Sequence, residues 1–131
     1  VSLAHKGDID VVPFVGPSSL MMALMSSGLN GQCFAFCGYI PVKKEERKKR
    51  LKDLEARSKK YDETEIIIET PYRNAQLFDT VIKCCRPETK LCVAAGITTD
   101  QEFIKTKTVA QWKKDGLPEM KKVPAIFAIY K

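Results

Sequence analysis

Three consecutive isoleucines, Ile66-Ile67-Ile68, framed by Glu65 and Glu69, constrain this chain more than any other feature. Successive side chains of a strand point to opposite faces of a sheet. An unbroken apolar run therefore suits a strand buried on both sides, as in the interior of a layered α/β sheet. Thr70-Pro71 comes next and reads as the cap and first position of a helix. Ala75, Leu77, Phe78, Val81 and Ile82 supply that helix with an apolar face.

The alternation of strand and helix runs through the chain. Cys33–Cys37 reads as a strand closed by Gly38-Tyr39, and Leu91–Ala95 as a strand ending at Gly96. Residues 102–108 alternate as a further strand, and Pro124–Tyr130 is the last. Thr108-Val109-Ala110-Gln111 is a capping-box pattern, so a short helix carrying Trp112 should follow, ended by Gly116 and Pro118. Near the start, Val11–Val15 reads as a strand stopped at Gly16-Pro17. Ser18-Ser19 then caps an apolar helix that begins at Leu20. In α/β folds, loops at the carboxyl ends of strands are where ligands bind, although a plain connection has the same appearance. The expected fold is α/β: one domain over residues 1–131, with a mixed sheet of about five strands flanked by helices.

The chain is 44% hydrophobic and 29% charged, an ordinary globular mixture. No apolar stretch reaches the roughly 20 residues that span a bilayer, and no secretory signal is present, so a cytoplasmic protein without a membrane partner is expected. The chain begins at Val1 and enters its first apolar run at once, which reads as a piece of a longer protein. Five cysteines, an odd number without Cys-x-x-Cys spacing, and a single histidine, His5, argue against a metal site. Cys33 and Cys37, in phase with Ala35, read as small buried hydrophobes. Cys84-Cys85 reads as packing before redox chemistry.

The net charge is +6. Ten basic residues against four acids between Lys43 and Lys60 account for all of it. The span also has helical periodicity, with Arg47, Leu51, Leu54, Ser58 and Tyr61 on one stripe. Leu51, Leu54 and Tyr61 are expected to touch the core. The remaining cations form either a solvated face or a phosphate-contacting surface for nucleic acid, led by Lys43, Lys44, Arg47, Lys48, Lys49 and Arg50.

Several of these motifs, in this order, resemble the second half of the tetrapyrrole methylase superfamily, in particular the ribosomal RNA small-subunit methyltransferase I branch. They are Val15-Gly16-Pro17-Ser18-Ser19 with its apolar helix and Gly28, Phe36-Cys37-Gly38-Tyr39-Ile40-Pro41 with the Arg/Lys-rich helix, Glu69-Thr70-Pro71-Tyr72-Arg73, and Pro124-Ala125. The resemblance covers nearly the whole chain. It implies the C-terminal domain of a two-domain, S-adenosylmethionine-dependent methyltransferase, with the cofactor in the cleft between the domains and the glycine-rich N-terminal half absent from this chain. It implies ribosomal RNA or the small subunit as partner, a homodimer, and methylation of the ribose 2′-hydroxyl of a cytidine.

Carried over position by position, the resemblance assigns cofactor contact to Ser18 and Ser19, Thr70 and Pro71, Ala94 and Ala95, and Pro124 and Ala125. It leaves Glu69 and Arg73 as catalytic candidates, or equally as a structural ion pair. One departure stands out: the branch carries Arg-Glu where this chain has Ala95-Gly96, before Ile97-Thr98. Two other readings stay open: a related enzyme acting on a small molecule or a protein, and a noncatalytic binding or dimerisation module.

Overall fold

The computed structural model describes residues 1–120 and 122–131. Its elements are α1 (Ser2–Lys6), α2 (Ser19–Ser27), β1 (Phe34–Phe36), α3 (Lys44–Tyr61), β2 (Thr64–Glu69), α4 (Asn74–Cys84), β3 (Lys90–Ala95), β4 (Phe103–Thr108), α5 (Val109–Asp115) and β5 (Ala125–Tyr130). A single 3-10 turn, Pro71–Arg73, leads into α4.

The five strands form one mixed sheet in the order β1-β2-β5-β3-β4. β1 and β2 are parallel, and every other pair is antiparallel. The isoleucine strand β2 lies inside the sheet, and Ile66 and Ile67 are buried on opposite faces. The carboxyl ends of β1, β2 and β3 share one edge with the starts of β4 and β5, where Glu69 and Ala95 both pair with Ala125.

On one face, α3, α4 and α5 enclose the larger core. Leu51, Leu54, Leu77, Phe78, Val81 and Trp112 pack there on Ile67, Leu91, Val93, Phe127 and Ile129. The Trp112 ring meets Phe78 edge-on at 5.4 Å, and its Nε1–H donates to the Leu91 carbonyl at 2.9 Å. The capping box that opens α5 is complete in both directions. On the other face, among the described residues, α2 alone of the helices covers the sheet, through Ala23 and Leu24 on Ile66, Cys92, Ala94, Ile126 and Ala128.

Several expectations are corrected. Val11–Val15 is not a strand; Val12, Phe14 and Val15 are exposed, and among the described residues no strand pairs with them. Pro13 within that run has no N–H to donate to a ladder. Cys33 is exposed and Cys37 only half buried, because β1 is a three-residue strand at the edge of the sheet. The Cys37 thiol donates to Glu65 Oε2 at 2.9 Å, and burial with that carboxylate pushes its pKa up to about 12, so it stays protonated. Tyr61, the last residue of α3, is exposed beneath the Lys60 ammonium rather than buried. Ala75 is exposed in the first turn of α4. Cys84 and Cys85 have their sulfurs 4.0 Å apart and both are free thiols. Among the described residues, no helix is long and apolar enough to cross a membrane.

Candidate functional site

A hollow of about 260 Å³ opens at the edge where β2 and β3 end and β5 begins. Ile68, Ile126 and Ala94, paired across three adjacent strands, form its floor. Ser19 closes one side from the start of α2, and Gly96, Ile97, Thr99, Pro124 and Ala125 complete it. The lining is mostly small or aliphatic. The Ser18 side chain caps α2 by accepting the Met21 N–H at 3.5 Å, which fixes where Ser19 stands.

The Gly96–Glu102 rim is wound on itself. Gly96 N–H donates to the Pro124 carbonyl at 3.1 Å, Thr99 Oγ1–H to the Gly96 carbonyl at 2.7 Å, and Thr98 N–H to Glu102 Oε2 at 2.7 Å. Gly96 has φ +56°, and a Cβ there would lie 3.0 Å from both the Gln101 carbonyl oxygen and Thr99 Oγ1. This tight turn needs glycine, which gives the Ala95-Gly96 departure a local cause.

Ser19, Ala94, Pro124 and Ala125, expected as cofactor contacts, converge on this hollow; Ser18, Thr70, Pro71 and Ala95 do not line it. The pleat explains Ala95. It points to the face opposite Ala94, into the helix-covered core, where it is fully buried. Pro71 faces a separate hollow of about 550 Å³ between α4 and α5, and Thr70 is exposed.

Glu69 and Arg73 are brought together as an ion pair. Arg73 Nε donates to Glu69 Oε1 at 2.8 Å and Nη2 to Oε2 at 2.7 Å, while the Thr70 N–H also donates to Oε1 at 2.6 Å. Arg73 Nη2 reaches the Ile40 carbonyl at 3.3 Å. Glu69 is buried on the same side of β2 as Ile67, across the sheet from the hollow. Both its oxygens are engaged in bracing the loops after β1 and β2.

The basic helix is also corrected. Arg47 is buried, not part of an open cationic face. Its Nε donates to Thr80 Oγ1 at 3.0 Å, and its Nη1 to the Val42 carbonyl at 2.7 Å and to Gln76 Oε1 at 3.2 Å. It ties α3 to α4. Lys43 pairs with Glu46 at 3.3 Å and Lys48 with Glu45 at 3.0 Å. Lys44 and Lys49 are exposed, and Arg50 is half buried.

Sequence reasoning missed Ile68, Gly96, Ile97, Thr99 and Ile126. Period-two alternation could have put Ile68 and Ile126 on one face, but only strand register sets them beside Ala94.

No family model matches the chain. Ribosomal RNA small subunit methyltransferase I of Mesorhizobium japonicum is 35% identical over 101 residues, covering 77% of this chain and 33% of the relative. The protein of that name from Buchnera aphidicola is 29% identical over 125 residues, covering 93% of this chain and 42% of the relative. The chain thus spans less than half the length of these relatives. Among solved structures, the methyltransferase CobJ superposes with a TM-score of 0.56 at 16% identity, over 99% of this chain and 54% of that one. A cobalt precorrin-4 methyltransferase gives 0.53 at 19%, over 98% and 55%. These two likenesses are likenesses of fold. By sequence the chain is a homologue of part of ribosomal RNA small subunit methyltransferase I, and its fold is similar to that of the two methyltransferases superposed on it.

Proposed function

We propose that this chain is the C-terminal half of an S-adenosylmethionine-dependent methyltransferase that modifies small-subunit ribosomal RNA, at the ribose 2′-hydroxyl of a cytidine. The supporting observation is convergence. Ser19, Ala94, Pro124 and Ala125 come from three separate segments, and all four line one hollow at the carboxyl edge of the sheet. That edge is where α/β sheets hold ligands.

The bound cofactor would supply an electrophilic methyl group, and the protein's task is alignment and exclusion of water. The hollow fits one wall of such a site. Ala94, Gly96 and Ala125 lack bulk, so backbone can approach a ligand closely, while Ile68, Ile97 and Ile126 offer an apolar surface to a flat ring. In this reading Glu69 and Arg73 hold the loop after β2 at the rim, and the proton of the attacking hydroxyl leaves to a group on the other half. A homodimer acting in the cytoplasm belongs to the same proposal.

The test uses small ribosomal subunits and the protein in which this segment is joined to a cofactor-binding half. Radiolabelled methyl should appear in 2′-O-methylcytidine after digestion to nucleosides. Label on a base, or on a small molecule in place of RNA, overturns the reading. Calorimetry on the 131-residue chain alone should show S-adenosylmethionine binding weaker than micromolar. Micromolar affinity would refute the half-site.

A further inference from the structure

We infer that the far end of α3 carries a second phosphate-binding groove, which makes the RNA partner an extended, structured one rather than a nucleotide or short loop. This inference rests on the RNA-substrate reading. Exposed cations lie along the whole of α3, with Lys44 and Lys49 in its first half outside any ion pair among the described residues. In the first turns Arg47 is buried, and Lys43 and Lys48 are each paired with a glutamate. Lys52 at mid-helix and Lys59 and Lys60 in the last turn are exposed, and none has a carboxylate within ion-pair distance among the described residues.

These three lysines and Arg86, which follows α4, wall an open groove of about 600 Å³. Ala56 stands among the lysines, and its short side chain lets an anion approach the helix. The one carboxylate in the groove, Glu55, is buried and already engaged: its Oε1 accepts the Arg86 N–H at 2.7 Å and the Thr89 hydroxyl, and Arg86 Nε lies 3.7 Å from its Oε2. The groove therefore holds three lysines outside any ion pair among the described residues, beside Arg86, which is shared between Glu55 and Glu88, and the small Ala56 is the one exposed apolar side chain of its lining. A membrane-binding face would pair its cations with an apolar stripe. A polyphosphate backbone needs only the cations.

Position gives the groove its meaning. The hollow lies where β2 ends, and the groove lies where β2 begins. From Lys44 to Lys60 the helix rises about 24 Å at 1.5 Å per residue. That exceeds the ~8 Å screening length at physiological salt, so the two ends act as separate anchors. At about 3.4 Å per stacked nucleotide the gap corresponds to roughly seven nucleotides. A mononucleotide cannot reach both ends, and a helical stem can.

The experiment is fluorescence anisotropy on this chain with two probes, a single-stranded RNA of about five nucleotides and a stem-loop of about 25, each across a salt series. The wild type should bind the stem-loop more tightly and with a steeper salt slope. The Lys52→Gln/Lys59→Gln/Lys60→Gln variant should lose about tenfold in stem-loop affinity and flatten the slope by roughly two, with the short RNA unaffected. Its far-ultraviolet melt should match wild type, because all three side chains are exposed. An unchanged stem-loop affinity and slope in the variant would overturn the groove and leave the RNA reading standing. A wild type that binds neither RNA would overturn the RNA reading and the groove with it. Sedimentation with phosphatidylserine vesicles, without stem-loop binding, would replace the polyanion by a membrane surface.

Discussion

The two faces of the sheet are built from the same strands to different ends. On β3, Leu91 and Val93 point to the helix-covered face, while Cys92 and Ala94 point to the other. On β5, Phe127 and Ile129 point one way, and Ile126 and Ala128 the other. The pleat sorts large side chains toward three helices and mostly small ones toward α2 and the hollow. At the edge strand β1, Phe36 pairs in register with Ile66, so it lies on the sparsely covered face, and it remains exposed. One face is fully packed and holds the fold together. The other leaves space at the end of the sheet, and the candidate site occupies that space.

The largest effect should come from truncating the principal buried side chain on each face. Trp112→Ala removes a fully buried ring, its edge-on partner Phe78 and a hydrogen bond to Leu91. It should cost about 4 kcal/mol, the range for aromatic truncation in a core. Leu24→Ala on the α2 face should cost about 2 kcal/mol, the lower end for leucine, because the open end of that layer can relax. Urea titrations of both variants test this. Equal losses would mean that the two faces are equally well packed.

That asymmetry marks how far the sequence alone could be read. The isoleucine run, the capping box at Thr108-Gln111 and the apolar stripe of Leu51 and Leu54 act locally, and each is visible as a pattern of neighbours. The site is nonlocal. Ile68, Ile126 and Ala94 meet only through the register of three strands, two of them separated by most of the second half of the chain. Charge was misread for a related reason. Arg47 looks like its basic neighbours until α4 brings Thr80 and Gln76 to it. The run Val11–Val15 is apolar without being a strand, because none of the five strands among the described residues pairs with it.

A smaller effect separates brace from catalyst at the junction of the two faces. Arg73→Met leaves the buried Glu69 carboxylate with only the Thr70 N–H. Breaking a buried pair from one side costs 3–5 kcal/mol, and Arg73 is partly exposed, so about 2 kcal/mol is expected. The double variant Glu69→Gln/Arg73→Met should recover much of that loss, because no unpaired charge stays buried. Thermal denaturation of the single and double variants decides it. If Arg73→Met unfolds at the wild-type temperature while methyl transfer by the joined protein collapses, the pair is catalytic and not a brace.

The smallest effect compares the two helix caps, one on each face. At Thr108 the box is complete: Thr108 Oγ1 accepts the Gln111 N–H at 3.2 Å, and Gln111 Oε1 accepts the Thr108 N–H at 2.9 Å. At Ser18 one bond caps α2, and it is long at 3.5 Å. A serine or threonine cap is worth about 0.5–2 kcal/mol, and the value follows the bonds it makes. Thr108→Ala should therefore cost about 1 kcal/mol, since it removes one bond of a reciprocal pair and loosens the other. Ser18→Ala should cost about 0.5 kcal/mol, at the bottom of the range. Melts of the two variants under one condition give the ordering directly. A Ser18→Ala loss as large as that of Thr108→Ala would mean that the start of α2 is held as firmly as the helix-covered face. The sparse layer would then be rigid at the point where Ser19 meets the hollow.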